Sequence, residues 1–592
     1  MDEQAIEVAR RVQAELTAPG AQFEVVDDVV DGIPMKMYAS RFASLRQVAE
    51  LAEMHGDAEF IVYGDRRYSY AGFLDQAKAV STALVDDLDV GKGDRVAVLS
   101  QNNPEWALTF WGTVAAGAVL VGLNGWWSTD EVLYGLQDSG AKVLVADRKR
   151  FERVAEHLDE APDLQTVVLV DCAPADVYPG GTLPDGVQFL EFDTLLGRAG
   201  TDGLGYPDVA IDEGDHAVIF YTSGTTGRSK GAISTHRSMV ANLQNTVFRS
   251  VADSAVRAEL GISSEGVAPG AGKGQMVALF TSPLFHVSGC HSTMVVGLLG
   301  GVRLVMVEGR FTPERALELI EAEQVKMWAT VPTMVWRVCE HPDRHDHDTS
   351  SVRSVSFGGS PSADELRRMV RETFPNVVAT ANAYGLTESS SVATMLSGPE
   401  ADLRPGTVGR AMPVVDLKVV DGDGNELPAG QPGEVLIRGP IIMPGYWNRP
   451  DATAETVVDG WLHTGDVGVL DADGFLTITD RAKDMLIRGG ENVYCVEIEQ
   501  RLVEHPAVAD AAVVGVPHPE LGEEVKAVLE LAEGAEDPGD DALRQWVRDA
   551  LAEFKVPAYV ERWDGKLPRN ASGKLLKNVL RGDAPAGFSE TM

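Results

Sequence analysis

Between Tyr221 and Gly231 the chain reads Tyr-Thr-Ser-Gly-Thr-Thr-Gly-Arg-Ser-Lys-Gly, directly after an apolar run. The chemistry open to such a stretch is phosphate binding. Gly224 and Gly227 let backbone N–H groups close around an anion. The hydroxyls of Thr222, Ser223, Thr225 and Thr226 add donors, and Lys230 adds a positive charge. A plain surface loop is the alternative, but the run is long for one and dense in this chemistry. The spacing is not GxxxxGK[ST], which argues against a P-loop kinase or ATPase.

Six further clusters carry groups of the same kind. In Asn382-Ala383-Tyr384-Gly385-Leu386-Thr387-Glu388 a ring can stack on a base, a hydroxyl can reach a phosphate and a carboxylate can hold Mg²⁺. Phe357-Gly358-Gly359-Ser360-Pro361 reads as a strand-to-helix turn. Asp466, closing Gly460-Trp461-Leu462-His463-Thr464-Gly465-Asp466, can accept both protons of a ribose diol. Asp480-Arg481-Ala482-Lys483-Asp484 is a polar turn leading into Leu486-Ile487-Arg488-Gly489-Gly490-Glu491-Asn492-Val493-Tyr494, where glycines admit a thin ligand close to the backbone. Near the end stands Leu567-Pro568-Arg569-Asn570-Ala571-Ser572-Gly573-Lys574. Singly, Glu388 is a solvated loop carboxylate, and Lys574 a solvated surface charge.

Together, and in this order from about residue 45 to 581, these segments resemble the ANL superfamily of acyl-CoA synthetases, peptide-synthetase adenylation domains and firefly-type luciferases. The resemblance implies a role for each position. Thr222, Ser223, Gly224, Thr225, Thr226, Gly227 and Lys230 form the phosphate loop, with Thr226 also among the catalytic groups. Gly359 and Ser360 face adenine and the acyl group. Tyr384 lies against adenine in a motif shared with Asn382, Ala383 and Gly385; Thr387 contacts the α-phosphate, and Glu388 ligates magnesium beside Thr222. Asp466 and Arg481 hold the ribose, and Lys483 is the hinge of a rotating C-terminal domain. Gly489 and Gly490 line the pantetheine tunnel, and Lys574 bridges the carboxylate and the α-phosphate. Where the family often has proline after the tyrosine, this chain has Cys495.

The implied activity is AMP-forming acyl-CoA synthesis from a carboxylic acid, with ATP, Mg²⁺ and coenzyme A. Pro283-Leu284-Phe285-His286-Val287-Ser288-Gly289 occupies the acyl-site segment. Peptide-synthetase domains place Asp where His286 falls, because an α-ammonium group needs a counter-charge. A neutral His disfavours an α-amino acid and resembles the gating His of fatty and aromatic acyl-CoA synthetases. Fatty, alicyclic and aromatic acids stay open. The compact 480–498 segment lacks the insertion of family members that stop at the adenylate, which favours CoA transfer. Transfer to a carrier-protein thiol, or luciferase-like oxygenation, are the alternatives. A non-catalytic sensor would usually have lost Glu388 or Lys574.

To bring these clusters together the chain needs a scaffold, and its pattern is α/β. Short β-rich runs such as Arg95–Leu99, Lys142–Val145, Val167–Val170 and Ala217–Phe220 alternate with helical stretches such as Pro104–Ala116 and Pro313–Gln324, which predicts largely parallel sheets. The expected organisation is a large N-terminal domain of two sheet-helix subdomains, residues 1–482, with a β-rich subdomain at about 406–478. A mobile α+β lid, residues 483–592, follows. Gly180–Asp215 and the Gly/Ala/Ser-rich Ser254–Gly274 read as loops. With 51 basic and 89 acidic residues the formal charge is −38, which opposes nucleic acid and anionic lipid. Four scattered cysteines form neither a disulfide framework nor a zinc site, and fit a reducing cytoplasm. The start lacks the basic and apolar regions of a signal peptide, and the apolar 277–307 stretch, broken by His286, His291 and Arg303, reads as buried strand and helix. A homodimer stays open.

Overall fold

Runs such as Val143-Leu144-Val145-Ala146 and Val167-Val168-Leu169-Val170 are apolar on both alternating faces, the pattern of strands covered by helices on either side. A computed structural model describes residues 2–178, 183–199, 204–222, 229–264, 274–358, 364–404, 406–481, 485–488, 491–518, 521–551, 553–569 and 575–582. Among them, a seven-stranded sheet runs in the order Lys230–Thr235, His216–Thr222, Val119–Gly122, Arg95–Leu99, Val143–Asp147, Thr166–Val170, Gln188–Glu191. Its strands are parallel except at one edge, where His216–Thr222 and Lys230–Thr235 pair antiparallel with Thr222 opposite Lys230. The helix Pro104–Ala115, started by the Asn103 side chain and Pro104, is buried along its whole length against this sheet.

A second, nine-stranded sheet has a mainly parallel centre. Its strands Val277–Phe280, Met327–Thr330, Ser354–Gly358 and Ala379–Tyr384 run side by side, and Thr394–Leu396 turns back antiparallel against the last. Asp416–Val420, Gly433–Arg438, Trp461–Leu470 and Leu476–Arg481 form an antiparallel sheet. The smaller C-terminal domain is built on the long antiparallel pair Val508–His518 and Gly522–Leu531, covered by the helices Cys495–Val503 and Asp540–Arg548. The architecture is the expected mixed α/β one.

Both predicted loops contain regular elements among their described residues. Within 180–215, Gln188–Glu191 adds a parallel strand to the sheet edge and Phe192–Ala199 is a helix. The buried Leu190, Phe192 and Leu195 drive this, an apolar set too short to stand out among polar neighbours. Within 254–274, the helix His236–Glu259 continues past Ser254 because Ala252 and Val256, one turn apart, pack with Val12 of the helix Asp2–Thr17. The 277–307 stretch is strand, helical turns and strand, and its helical part contains a π-helix at Cys290–Val295.

The long helix also anchors the return strand of the second sheet through buried charge. Arg249 bonds the Glu400 carboxylate at 3.1 Å and Asp253 at 2.9 Å, and its Nε donates to Ser397 at 2.7 Å. Arg410 reaches the other Glu400 oxygen at 2.5 Å, and Glu400 is only 2% exposed. Glu400→Gln would leave two guanidinium groups short of their counter-charge. It should lower the unfolding free energy of this region by about 3–5 kcal/mol, read by denaturant unfolding; an unchanged midpoint contradicts this account.

Candidate active site

Strand ends meet at one place. Thr222 ends His216–Thr222, Gly358 ends Ser354–Gly358, and Tyr384 ends Ala379–Tyr384. In parallel α/β sheets the carboxyl ends of strands are where ligands bind. The described flanks of the phosphate segment, Thr222 and Lys230, face each other across the antiparallel pair, and the Thr222 hydroxyl donates to the Lys230 carbonyl at 3.4 Å. Ser223, Gly224, Thr225, Thr226 and Gly227 lie outside the described residues.

Beyond Tyr384 the backbone makes a tight double-back. A Cβ at Gly385 would stand 1.5 Å from the Ser391 carbonyl oxygen, so only glycine fits. Thr387–Ser389 then form a short 3₁₀ turn, its entry fixed by the Leu386 N–H donating to Ser389 Oγ at 2.9 Å. Ser390 and Ser391 leave with positive φ, 49° and 107°. The Ser390 hydroxyl ties this turn to the phosphate-side strand and helix through Ser234 at 3.2 Å and Ser238 at 2.8 Å. Val392 N–H donates to Asn242 Oδ1 at 3.1 Å. Glu388 is held from a third direction: Met443 N–H donates to its carbonyl at 2.9 Å, and the Tyr446 phenol to its Oε1 at 2.7 Å.

The antiparallel sheet supplies Asp466, 3% exposed, on Trp461–Leu470. Its Oδ2 accepts a hydrogen bond from the Tyr384 phenol at 2.7 Å, joining the two sheets, and its N–H donates to Thr464 Oγ1 at 3.1 Å. Arg481 stands directly opposite Asp466 in the register of the pair. Asn382 is buried and donates to the Thr407 carbonyl at 3.3 Å, and Ala383 lies between Gly358 and Met395. Thus Thr222, Lys230, Asn382, Ala383, Tyr384, Gly385, Thr387, Glu388 and Asp466 are brought to one region. Gly359, Ser360, Lys483, Gly489, Gly490 and Lys574 lie outside the described residues.

His286 caps the turn Val287–Gly289, its ring centroid 4.7 Å from that of Phe285, which in turn meets the half-exposed Trp126 edge-on at 5.2 Å. Gly289 is again forced, since a Cβ there would lie 2.2 Å from the Pro283 carbonyl oxygen. The following π-helix turns His291 inwards, with Nε2 3.0 Å from Ser234 Oγ.

Residues 48–447 match the family of AMP-binding enzymes, and 497–574 match the AMP-binding enzyme C-terminal domain. The chain belongs to the AMP-binding enzymes. Within them it is an adenylate-forming enzyme of the ANL superfamily, on its acyl-CoA ligase branch. It is 33% identical over 530 residues to the feruloyl-CoA synthase of an Amycolatopsis species, with 90% of this chain and 96% of that one covered. Its identity to the long-chain-fatty-acid–CoA ligase of Salmonella typhimurium (strain LT2) is 31% over 574 residues, covering 93% and 96%. Among solved structures, o-succinylbenzoate CoA synthetase from Bacillus subtilis, in complex with the acyl-adenylate intermediate OSB-AMP, superposes with a TM-score of 0.70 at 29% identity, covering 92% of this chain and 98% of that one.

Sequence reasoning about this AMP-binding enzyme missed Tyr446 and His291. Neither sits in a polar cluster. The only local signal for Tyr446 is an aromatic after Pro444-Gly445, and for His291 a polar side chain in an apolar run. Burial holds the His291 imidazole neutral, pushing its pKa from 6.5 down to about 3. Above 6.5 the ring is neutral in both folded and unfolded chains. Below it the unfolded chain gains a proton that the folded one refuses, so stability is lost as pH falls towards 3. His291→Gln should remove this component. Between pH 6 and 4 the wild type should lose stability relative to the variant by up to about 1.4 kcal/mol per pH unit, measured as parallel unfolding curves; parallel pH profiles contradict it.

Proposed function

We propose that this enzyme activates a carboxylic acid with ATP and passes the acyl group to coenzyme A at one site. ATP-dependent acyl-CoA synthesis through acyl-AMP is the chemistry of its branch. The observation that carries the residue-level reading is the convergence of Thr222, Tyr384 and Asp466, drawn from three sheets, and of Glu388 from the turn after Tyr384, with a Tyr384–Asp466 hydrogen bond of 2.7 Å.

A free carboxylate is a poor electrophile because charge and resonance protect its carbonyl. In the first half-reaction a carboxylate oxygen attacks the α-phosphorus of ATP and pyrophosphate leaves, so catalysis is mainly positioning and charge stabilisation. The Tyr384 ring supports adenine, and Asp466, with Arg481, takes the ribose hydroxyls. Thr387 contacts the α-phosphate. Ser223 to Gly227 and Lys230 cradle the departing phosphates, while Gly359 and Ser360 face adenine and the acid. Lys574 bridges the carboxylate and the α-phosphate.

The donors fit a magnesium ion that arrives on the nucleotide. Mg²⁺ in such sites takes one or two protein ligands and completes its shell with phosphate oxygens and water. Among the described residues there is no cluster of three or more His, Cys, Asp or Glu that could cage a metal. Glu388 Oε2 accepts no hydrogen bond from a described residue, and the Thr222 hydroxyl stands beside the phosphate segment. Glu388 and Thr222 would hold the ion, which when bound supplies charge neutralisation for the leaving pyrophosphate.

In the second half-reaction the thiolate of coenzyme A attacks the mixed anhydride and AMP leaves. The C-terminal domain, residues 483–592, turns about Lys483 to withdraw Lys574 and bring Gly489 and Gly490 to the thiol path. The strand leading to those glycines is anchored by the paired Arg488–Glu524 contacts of 2.5 and 3.0 Å. His286, next to the aromatic pair Phe285 and Trp126, supports an apolar acid, fatty, alicyclic or aromatic, over an α-amino acid. Four free cysteines support a reducing, cytoplasmic setting; among the described residues no helix is long and apolar enough to cross a membrane.

Two measurements test this. A panel of carboxylic acids should give pyrophosphate release with ATP, and AMP formation that depends on coenzyme A for at least one apolar acid. Lys574→Ala should slow adenylation by about 10²–10³, the scale of one lost preorganised donor, and largely spare thioester formation from supplied acyl-adenylate. Equal loss in both steps would rule out the two-state assignment.

A further inference from the structure

We infer that Tyr446 is a positioning residue for the metal-and-phosphate end of the site: it aims the Glu388 carboxylate and keeps that carboxylate and the Lys230 ammonium apart. The inference rests on the proposed role of Glu388 as magnesium ligand.

Tyr446 lies in a segment that runs back along the strand leaving the phosphate region. Its residue pairs with Ala232 as an isolated antiparallel bridge. Trp447 N–H donates to the Gly231 carbonyl at 2.7 Å, and Ile233 N–H to the Gly445 carbonyl at 3.2 Å. The Tyr446 N–H is fixed by Thr453 Oγ1 at 2.9 Å. This registration leaves the ring little freedom, and the residue is only 9% exposed. One end of the side chain donates to Glu388 Oε1 at 2.7 Å. The Lys230 Nζ stands 5.0 Å from the ring centroid, within cation–π range.

Lys230 and Glu388 are opposite charges attached to one ring, yet they form no ion pair with each other among the described contacts. Had they paired directly, each would have satisfied the other, and binding MgATP would first have to separate them. The phenol occupies one carboxylate oxygen with a neutral donor, which restricts the rotamers of Glu388 and leaves Oε2 for a cation. The π-face holds the ammonium by a contact weak enough to yield to a phosphate. Burial raises the phenol's pKa, chiefly by desolvation, so it remains a donor at neutral pH. Partners of this kind, which hold a ligating carboxylate in one orientation, commonly set metal affinity by 10–100-fold.

Tyr446→Phe removes the hydroxyl and retains the ring under Lys230. Two quantities are measured against Mg²⁺ concentration: pyrophosphate release, and binding of the unreactive α,β-methylene analogue of ATP by calorimetry. The expected result is a Mg²⁺ half-saturation raised by about 10–100-fold in both, with turnover recovering towards wild type at saturating Mg²⁺. General damage to the fold would instead lower turnover at every Mg²⁺ concentration, and that result overturns the inference. Glu388→Gln runs in parallel. If it alters the Mg²⁺ response and Tyr446→Phe does not, Tyr446 has no positioning role although Glu388 keeps its own. If neither alters it, the metal role of Glu388 fails and the inference with it. Should the Phe variant not fold, Tyr446→His, which retains a ring N–H donor, should fall between wild type and Glu388→Gln; a Mg²⁺ response equal to Glu388→Gln overturns the proposal.

Discussion

A chain of formal charge −38 has to hold a polyanionic nucleotide, and that constraint shapes the whole site. Global electrostatics oppose the ligand, so attraction has to be local, short-ranged and protected from internal neutralisation. In the proposed reading the segment after Tyr221 would meet the first requirement with backbone N–H groups and hydroxyls, which add no net charge, and one nearby lysine. The packing around Glu388 and Lys230 meets the last. Both side chains contact Tyr446, the Glu388 carboxylate through the phenol and the Lys230 ammonium through the ring face, and the main chain of Glu388 is fixed by the Met443 N–H.

Such local presentation depends on three separate sheets contributing to one region. The seven-stranded sheet delivers Thr222, the nine-stranded sheet delivers Tyr384, and the antiparallel sheet delivers Asp466. Hydrogen bonds between side chains of distant segments bind the junction: Tyr384 to Asp466, Tyr446 to Glu388, and Ser390 to Ser234 and Ser238. Each joins groups that are at least partly shielded from water, where an unpaired polar atom is costly, so the junction is stiff in one arrangement. The two forced glycines, Gly385 and Gly289, serve the same end. They let backbone pass where a single methyl group would collide with a carbonyl oxygen.

The charged cluster of Arg249, Asp253, Glu400 and Arg410 contains none of the residues proposed for the chemistry. It ties the long helix His236–Glu259 to the segment that follows the strand returning from the Glu388 turn. A buried ionic cluster is an expensive way to join two elements. It does, however, tolerate only one geometry, which a site assembled from distant segments requires.

The sequence alone determined the elements and the chemical inventory. Periodicity set the parallel strands and the capped helices, because burial on two faces leaves an unmistakable run of apolar residues. The glycine, hydroxyl and lysine run pointed to phosphate binding, and the order of all the clusters along the chain carried the resemblance to a nucleotide-using family. It underread weak signals, as at Leu190, Phe192 and Leu195, where three apolar side chains are too few to reveal a strand and helix that only neighbouring elements stabilise. Tertiary structure decided which groups touch. Tyr446 lies 58 residues from Glu388, and Tyr384 lies 82 from Asp466. Nothing local to Tyr446 marks it as polar machinery, since a tyrosine becomes a hydrogen-bond donor to a particular carboxylate only when packing excludes water and brings the two atoms within reach.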